Sequence, residues 1–203
     1  MAKGSVIVLS GPAGSGKSTV RERLIARNPD FRYSISDTTR KPRPGEKDGV
    51  DYGFVTVEEF REGIAAGKYY EFAEYAGNYY GTPISQLVPF TDRGINVVLE
   101  IEVQGAMQVR AKDENAVLVM LLPPSFSVLE SRLRGRGTEC EESVQRRLAK
   151  ARNEIEYFMN YDYFILNADG CIDECVRQLE VIAETQKYRT KNNSDFPVNF
   201  LLN

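Results

Sequence analysis

The sequence predicts an α/β fold in which a parallel-sheet core is flanked by helices and carries an inserted mixed α+β segment and a small helical lid. Apolar runs recur at wide spacing, at residues 6–9, 97–99, 117–122 and 163–166, with helical patterns between or after them. Strands that alternate with helices in this way favour a parallel sheet covered on both faces. Residues 32–90 interrupt the rhythm, and the charged, glycine-punctuated break at 134–139 suits a hinge or lid.

Composition limits the classes of function. The 203 residues fit one α/β domain with insertions, and a net charge of −3 does not favour nucleic acid or an anionic membrane as partner. No apolar run approaches the roughly 20 residues that cross a bilayer. The first four residues lead directly into the first predicted strand, so we expect no signal peptide and a cytoplasmic protein.

The absence of histidine limits the chemistry further. It excludes a histidine general base, a phosphohistidine intermediate and the usual zinc sites. The three cysteines, Cys140, Cys171 and Cys175, form neither a disulfide framework nor a metal-binding cluster. Lysine, arginine, carboxylates, hydroxyls and a hard metal ion must therefore carry any reaction.

A phosphate-binding loop follows the first predicted strand. The segment Gly11-Pro12-Ala13-Gly14-Ser15-Gly16-Lys17-Ser18 fits the pattern G-x-x-x-x-G-K-[ST], and a helical pattern continues from Thr19. Glycines let backbone N–H groups turn inward, and the helix N-terminus adds a favourable partial charge. Lys17 can reach the β- and γ-phosphates, and the Ser18 hydroxyl can hold Mg²⁺. The segment predicts that the chain binds a nucleoside triphosphate.

A second group of residues suits another phosphate. Arg40 and Arg43 flank Pro42, and two guanidinium groups at this spacing can grip one phosphate. The segments Asp51-Tyr52-Gly53-Phe54 and Gly77-Asn78-Tyr79-Tyr80-Gly81-Thr82 add phenol donors and glycines that allow close approach of the backbone. A solvated basic loop is the alternative interpretation of the arginines alone, and half-buried packing is the commoner role of a single tyrosine.

With these motifs the chain resembles the guanylate kinase family, from about Val6 to Tyr188. The most specific segments are residues 36–43, 70–72, 77–82, 104–105 and 136–142, together with Asn167. The resemblance implies the reaction ATP + GMP ⇌ ADP + GDP with Mg²⁺. It also implies one domain over 1–203, with a P-loop core at 1–31 and 91–203, an inserted GMP-binding subdomain at 32–90, and a lid at 135–150.

The resemblance assigns roles to individual residues. For ATP these are the loop residues Gly11, Pro12, Ala13, Gly14, Ser15, Gly16, Lys17, Ser18 and Thr19, with Arg132, Arg136 and Asn167. For GMP they are Ser36, Arg40, Arg43, Tyr52, Glu71, Tyr80, Thr82 and Glu102. Catalysis falls to Lys17, Arg40, Arg136 and Arg147, and Mg²⁺ to Ser18 and Glu100, the latter directly or through water.

Hydrogen-bonding chemistry agrees with guanine as the base. A carboxylate such as Glu71 can accept from the N1 and N2 donors of guanine, and hydroxyls such as Ser36 and Thr82 can donate to O6. Adenine reverses this pattern, and each buried group left unpaired costs about 1–3 kcal/mol.

The sequence departs from the family pattern at one place. The segment Glu100-Ile101-Glu102 stands where the family usually has Asp-x-Asp, so each carboxylate is longer by one methylene, roughly 1.5 Å. This leaves open how Glu100 meets the metal ion and whether Glu102 contacts guanine.

Three other functions compete with the kinase. A protein-binding module of the same fold typically has a degraded P-loop, whereas Gly16, Lys17 and Ser18 are intact. A kinase for another phosphorylated acceptor, such as a ribose phosphate, would not need Glu71 beside two hydroxyls. A GTPase switch needs an N-K-x-D motif, which the sequence lacks. The expected partners are ATP and GMP, while the use of dGMP and the choice between monomer and homodimer stay open.

Overall fold

The computed structural model describes residues 3–75, 77–135, 140–193 and 197. Its strands are β1 (Val6–Ser10), β2 (Phe31–Tyr33), β3 (Asp37–Thr38), β4 (Gly53–Phe54), β5 (Tyr69–Tyr75), β6 (Asn78–Pro83), β7 (Asn96–Glu100), β8 (Val117–Leu122) and β9 (Tyr163–Leu166). Its α-helices are α1 (Lys17–Arg27), α2 (Val57–Ala65), α3 (Val88–Thr91), α4 (Val103–Lys112), α5 (Phe126–Arg134), α6 (Glu141–Ile155) and α7 (Ile172–Gln186). Short 3-10 helices cover Ile84–Gln86, Phe158–Asn160 and Thr190–Asn193.

A five-stranded parallel sheet forms the core, in the order β2-β7-β1-β8-β9. Along the central strand, Ile7 and Leu9 pack into one apolar cluster with residues of α1 and α7, while Val8 packs into a second cluster with residues of α4. Successive strand side chains point to opposite faces, so both faces of the sheet are covered by helices. The predicted parallel-sheet core flanked by helices is confirmed.

A second sheet of four strands, in the order β4-β3-β6-β5, is built from residues between β2 and β7. Strands β5 and β6 form an antiparallel hairpin, and Phe60 of α2 stacks on Tyr69 and Tyr79 with ring centroids 4.3 and 5.4 Å away. Helix α2 begins with a capping box in which Thr56 and Glu59 satisfy each other's backbone N–H groups. This arrangement fixes the hairpin that carries Glu71 and Tyr80.

The two sheets divide the chain slightly differently from the expected break at residue 32. Arg32 and Tyr33 pair in parallel with Val97 and Val98 of β7, because Phe31 anchors the strand in the apolar core. Strand β2 ends at Tyr33, and the Ser34 N–H still donates to the Val98 carbonyl oxygen at 3.1 Å, so the chain leaves the core sheet after Ser34. Residues 84–91 return to it, since Leu87 and Phe90 pack in the cluster beneath β7.

Candidate active site

Several of the predicted residues lie at the carboxyl edge of the parallel sheet. The Gly11–Ser18 segment follows β1, Glu100 is the last residue of β7, and Asn167 follows β9 directly. In open parallel sheets this edge is where ligands bind, because loops from adjacent strands converge there.

Two positions of the phosphate-binding loop require glycine, because neighbouring atoms leave no room for a Cβ atom there. Gly11 has φ 141°, and a Cβ there would lie 2.2 Å from the Leu121 carbonyl oxygen. Gly16 has φ 94°, and a Cβ there would lie 2.3 Å from Asn167 Nδ2. Neither position tolerates a side chain, so the loop conformation is determined by its packing against β8 and Asn167.

Asn167, the residue after β9, is hydrogen-bonded to the backbone of the phosphate-binding loop. Its side chain is 3% exposed, and Nδ2 donates a 2.8 Å hydrogen bond to the Ser15 carbonyl oxygen. Arg132 adds a second tie, because its Nη2 donates to the Asn167 carbonyl oxygen at 2.8 Å and to Asp169 Oδ1 at 2.7 Å. The contacts with ATP that the resemblance implies for Asn167 and Arg132 stay predictions.

Lys17 opens helix α1 and folds back over the loop. Its Nζ donates to the carbonyl oxygens of Gly11 at 2.6 Å and Pro12 at 3.1 Å. Burial lowers the pKa of Lys17, while the charges of Glu100, Glu154 and Glu102 oppose that shift. The ammonium group is therefore held by the loop's own carbonyl oxygens and lies within the field of three carboxylates.

Ser18 and Glu100 form a pair of oxygen donors next to the loop. Ser18 Oγ donates to Glu100 Oε1 at 2.7 Å, and Arg21 Nη1 holds the other carboxylate oxygen at 2.9 Å. The Arg21 guanidinium also lies 4.2 Å above the Tyr33 ring. The longer glutamate thus reaches the Ser18 hydroxyl, and hydroxyl and carboxylate oxygens are ligands that Mg²⁺ accepts.

A cavity of about 330 Å³ extends from this loop to the four-stranded sheet. Twelve of the predicted residues line it: Gly11, Ala13, Lys17, Ser36, Arg40, Arg43, Tyr52, Glu71, Tyr80, Glu100, Glu102 and Arg147. Outside its lining are Pro12, Gly14, Ser15, Gly16, Ser18, Thr19, Thr82, Arg132 and Asn167. Arg136 lies outside the described residues.

The predicted arginine and tyrosine pocket also lines this cavity. Arg40 presents its guanidinium fork to Glu46, with Nη1–Oε2 and Nη2–Oε1 both 2.9 Å, and the Arg43 N–H donates to Glu46 Oε2 at 2.7 Å. The pKa of Glu46 is lowered mainly by its hydrogen bonds from Arg40. Tyr52 and Tyr80 meet edge to face at 6.1 Å. The fork is thus arranged for a bidentate anion.

Glu71 stands at the side of the cavity, 3% exposed. Thr82 Oγ1 donates to Glu71 Oε1 at 2.7 Å, and Oε2 lies against Gly105 in the first turn of α4. Burial raises the pKa of Glu71, while the hydrogen bonds from Thr82 oppose the shift. Ser36, 8% exposed, lines the same cavity. Thr82 therefore orients the Glu71 carboxylate.

Eight residues line the cavity without having been assigned to a site from the sequence: Tyr33, Glu46, Ala73, Tyr75, Ile101, Gly105, Lys150 and Glu154. Glu46 follows Arg43 by three positions. This nearby carboxylate was the one local indication in the sequence that Glu46 could pair with the arginines. Lys150 and Glu154 lie one turn apart on α6, and nothing local in their pattern distinguishes them from a solvated helix face.

The chain matches the family model described as "Guanylate kinase" over residues 3–186. It is 47% identical over 191 residues to guanylate kinases of Streptococcus pyogenes serotypes M3 and M18, covering 93% of this chain and 89% of each relative. A solved structure of guanylate kinase from Anaplasma phagocytophilum is similar, with a TM-score of 0.74 and 33% identity, over 93% of this chain and 89% of that one.

Among the described helices, none is both long enough and apolar enough to cross a membrane.

Proposed function

This chain belongs to the guanylate kinase family and phosphorylates GMP with ATP, and we propose that transfer occurs in line between two nucleotides held at opposite ends of the cavity. One observation carries the proposal: a single cavity of about 330 Å³ is lined both by Lys17 of the phosphate-binding loop and by Arg40, Arg43 and Glu71 from the segment that contains the four-stranded sheet. A phosphate-binding loop and a second anion pocket that share one cavity suit a donor and an acceptor of a phosphoryl group.

The donor end binds ATP. The loop from Gly11 to Thr19 cradles its phosphates, and Lys17 exchanges its two carbonyl partners for phosphate oxygens when ATP enters. The nucleoside part of ATP is contacted by Arg132, Arg136 and Asn167. The bonds from Arg132 to Asn167 and from Asn167 to Ser15 support this assignment, because they couple that part of the site to the loop.

The acceptor end binds GMP. Arg40, Arg43, Tyr52 and Tyr80 hold its phosphate, which replaces Glu46 in the guanidinium fork. Ser36, Glu71, Thr82 and Glu102 recognise guanine, with Glu71 as the acceptor for the N1 and N2 donors.

Mg²⁺ fits the pair formed by Ser18 Oγ and Glu100 Oε1, whose separation of 2.7 Å brings two hard oxygen ligands together beside the loop. Glu100 acts as a ligand directly or through a water molecule. When bound, the ion neutralises charge on the phosphates.

The chain's own residues position the reactants and stabilise charge. The acceptor is a phosphate oxygen that is already anionic, so no general base has to deprotonate it, which agrees with a chain that has no histidine. Lys17, Arg40, Arg136 and Arg147 offset the charge that spreads over the transferred group. Residues 32–90 act as the GMP-binding subdomain and 135–150 as a lid on the core formed by 1–31 and 91–203, and their closure excludes water. Residues 136–139 of this lid lie outside the described residues.

The decisive experiment measures ADP release from ATP with GMP, AMP, UMP and ribose phosphate offered separately to the purified chain. We expect turnover with GMP and little with the others. Glu71→Gln should reduce the preference for GMP over AMP at least about tenfold, because an acceptor becomes a donor. The exposed neighbour Glu74 gives the matched control, Glu74→Gln. Absence of turnover with every acceptor would favour the protein-binding module instead.

A further inference from the structure

Lys150 connects three parts of the cavity wall. It lies on α6, and its Nζ donates to Glu102 Oε2 at 2.5 Å. The same ammonium group lies 4.1 Å from the Tyr75 ring centroid at the end of β5 and 3.7 Å from Glu154 Oε1. All four residues line the cavity. A side chain on α6, at the last residue of the expected lid, thus fixes a carboxylate two residues after the end of β7.

The length of Glu102 matters for this contact. The family usually has aspartate at this position, and glutamate extends the carboxylate by one methylene, roughly 1.5 Å. Here the longer carboxylate meets an ammonium group that comes from 48 positions further along the chain. A free glutamate side chain samples several rotamers, so a partner that selects one of them determines where the second oxygen points.

We propose that Lys150 is a positioning residue: by holding Oε2 of Glu102, it directs Oε1 toward the 2-amino group of guanine. This inference rests on the proposed binding of GMP in the cavity. The 2-amino group carries two N–H donors: Glu71 accepts from N1 and from one of them, and the inference assigns the other to the Lys150–Glu102 pair. Tyr75 supports the pair, because its ring face attracts the ammonium group and keeps it over the cavity.

The energetics favour a role in orientation rather than in stability. The two side chains are 38% and 46% exposed, and ion pairs this accessible contribute little to folding. Their loss should therefore leave the fold intact and change recognition by about threefold to fivefold, the range that such a pair can supply.

The test compares GMP with inosine monophosphate, which keeps the ring edge of guanine but lacks the 2-amino group. The measured quantity is the ratio of kcat/KM for GMP to kcat/KM for inosine monophosphate. We expect Lys150→Met to lower this ratio about threefold to fivefold, with kcat/KM for inosine monophosphate nearly unchanged. Arg146→Met, which removes a positive charge from an exposed position on the same helix, should leave the ratio unchanged.

A double-mutant cycle tests whether Lys150 acts through Glu102. In the Glu102→Gln background, Lys150→Met should produce no further change in the ratio. An equal loss of activity toward both acceptors would show that Lys150 serves only the general electrostatics or packing of the cleft, and would overturn the proposal. A rise in the ratio would also overturn it, because the ammonium group would then compete with the base.

The proposed function and this inference can fail separately. A wild-type chain that does not phosphorylate GMP would contradict the proposed function. A wild-type chain that uses GMP, with a GMP-to-inosine ratio that Lys150→Met does not lower, would contradict only the role of Lys150. Equal unfolding midpoints for the variants in urea would establish that the differences arise in the cavity.

Discussion

Glu71 and Gly105 are in direct contact across the cavity: a Cβ on residue 105 would lie 2.6 Å from Glu71 Oε2. Glu71 comes from β5 of the four-stranded sheet, whereas Gly105 lies in the first turn of α4 beside the core sheet. On the other side, the same Cβ would lie 3.2 Å from Ile101 Cδ1. The carboxylate thus occupies the space that a side chain at position 105 would take.

Replacing Gly105 should impair recognition of GMP without weakening the helix. In Gly105→Ala the new methyl group pushes the Glu71 carboxylate away from Thr82, so we expect KM for GMP to rise about tenfold, within the range of one lost buried hydrogen bond. KM for ATP should stay the same. Alanine favours a helix over glycine by up to about 1 kcal/mol, which offsets part of the cost of the lost Thr82–Glu71 hydrogen bond. Urea unfolding should therefore show a loss of stability of no more than about 2 kcal/mol. Unchanged KM for GMP would mean that Glu71 does not contact the base.

The pH dependence of GMP affinity should report the protonation of Glu71. Burial raises its pKa above the ordinary value of 4.5, so Glu71 takes up a proton at a higher pH than an exposed glutamate does. A protonated carboxyl group cannot accept from both guanine donors. We expect KM for GMP to rise as the pH falls through the raised pKa, with KM for ATP much less affected.

Protonation of Glu71 should affect the free energy of unfolding in the opposite direction from its effect on GMP affinity. Between the ordinary and the raised pKa, the folded state binds more protons at Glu71 than the unfolded state does. The contribution of this group to the free energy of unfolding therefore falls as the pH rises through that window. In Glu71→Gln both dependences should flatten. A pH profile for KM of GMP that this variant leaves unchanged would assign the titration to another group.

Glu100 should control the requirement for Mg²⁺. Glu100→Gln keeps the shape of the side chain but removes the charge beside Ser18, so we expect the Mg²⁺ concentration for half-maximal rate to rise about tenfold, a typical loss for one carboxylate contact. Glu22, which is also bonded to Arg21, gives the control Glu22→Gln. Equal Mg²⁺ dependence in both variants would exclude Glu100 from the metal site.

Asn167 should support the phosphate-binding loop. In Asn167→Ala the Ser15 carbonyl oxygen loses its 2.8 Å partner, and we expect the free energy of unfolding to fall by about 1–3 kcal/mol. KM for ATP should rise more than KM for GMP, because the loop serves the donor end. Asn153 is exposed on α6, so Asn153→Ala should change neither quantity. A variant with unaltered stability and KM would show that the loop holds its shape alone.

The parallel core could be predicted from the sequence because its strands are continuous apolar runs, and Val117–Leu122 is buried through its first five residues. The loop from Gly11 to Ser18 could also be predicted, because its phosphate-binding residues form one continuous motif. The three residues of β2 are too few to reveal a period, so their membership of the core sheet depends on pairing with β7.

Contacts between distant parts of the chain could not be predicted. Lys150 and Glu102 are 48 positions apart, and their pairing depends on how α6 packs against the core. The contact between Gly105 and Glu71 could not be predicted either, because nothing in the sequence near one residue indicates that it meets the other. The bidentate hydrogen bond from Arg40 to Glu46 is local, but a carboxylate near two arginines also suits an exposed loop, so only the folded geometry gives it a role.

The most direct test of two nucleotide sites in one cavity uses Lys17→Ala, because Lys17 belongs to the donor end alone. Transfer of label from γ-labelled ATP to GMP is measured beside calorimetric titration of GMP. We predict that label transfer falls at least about a hundredfold, the loss typical of one charge-stabilising donor, while the Kd for GMP stays nearly unchanged. Loss of GMP binding together with transfer, or label transfer at the wild-type rate, would contradict the assignment of the loop to ATP.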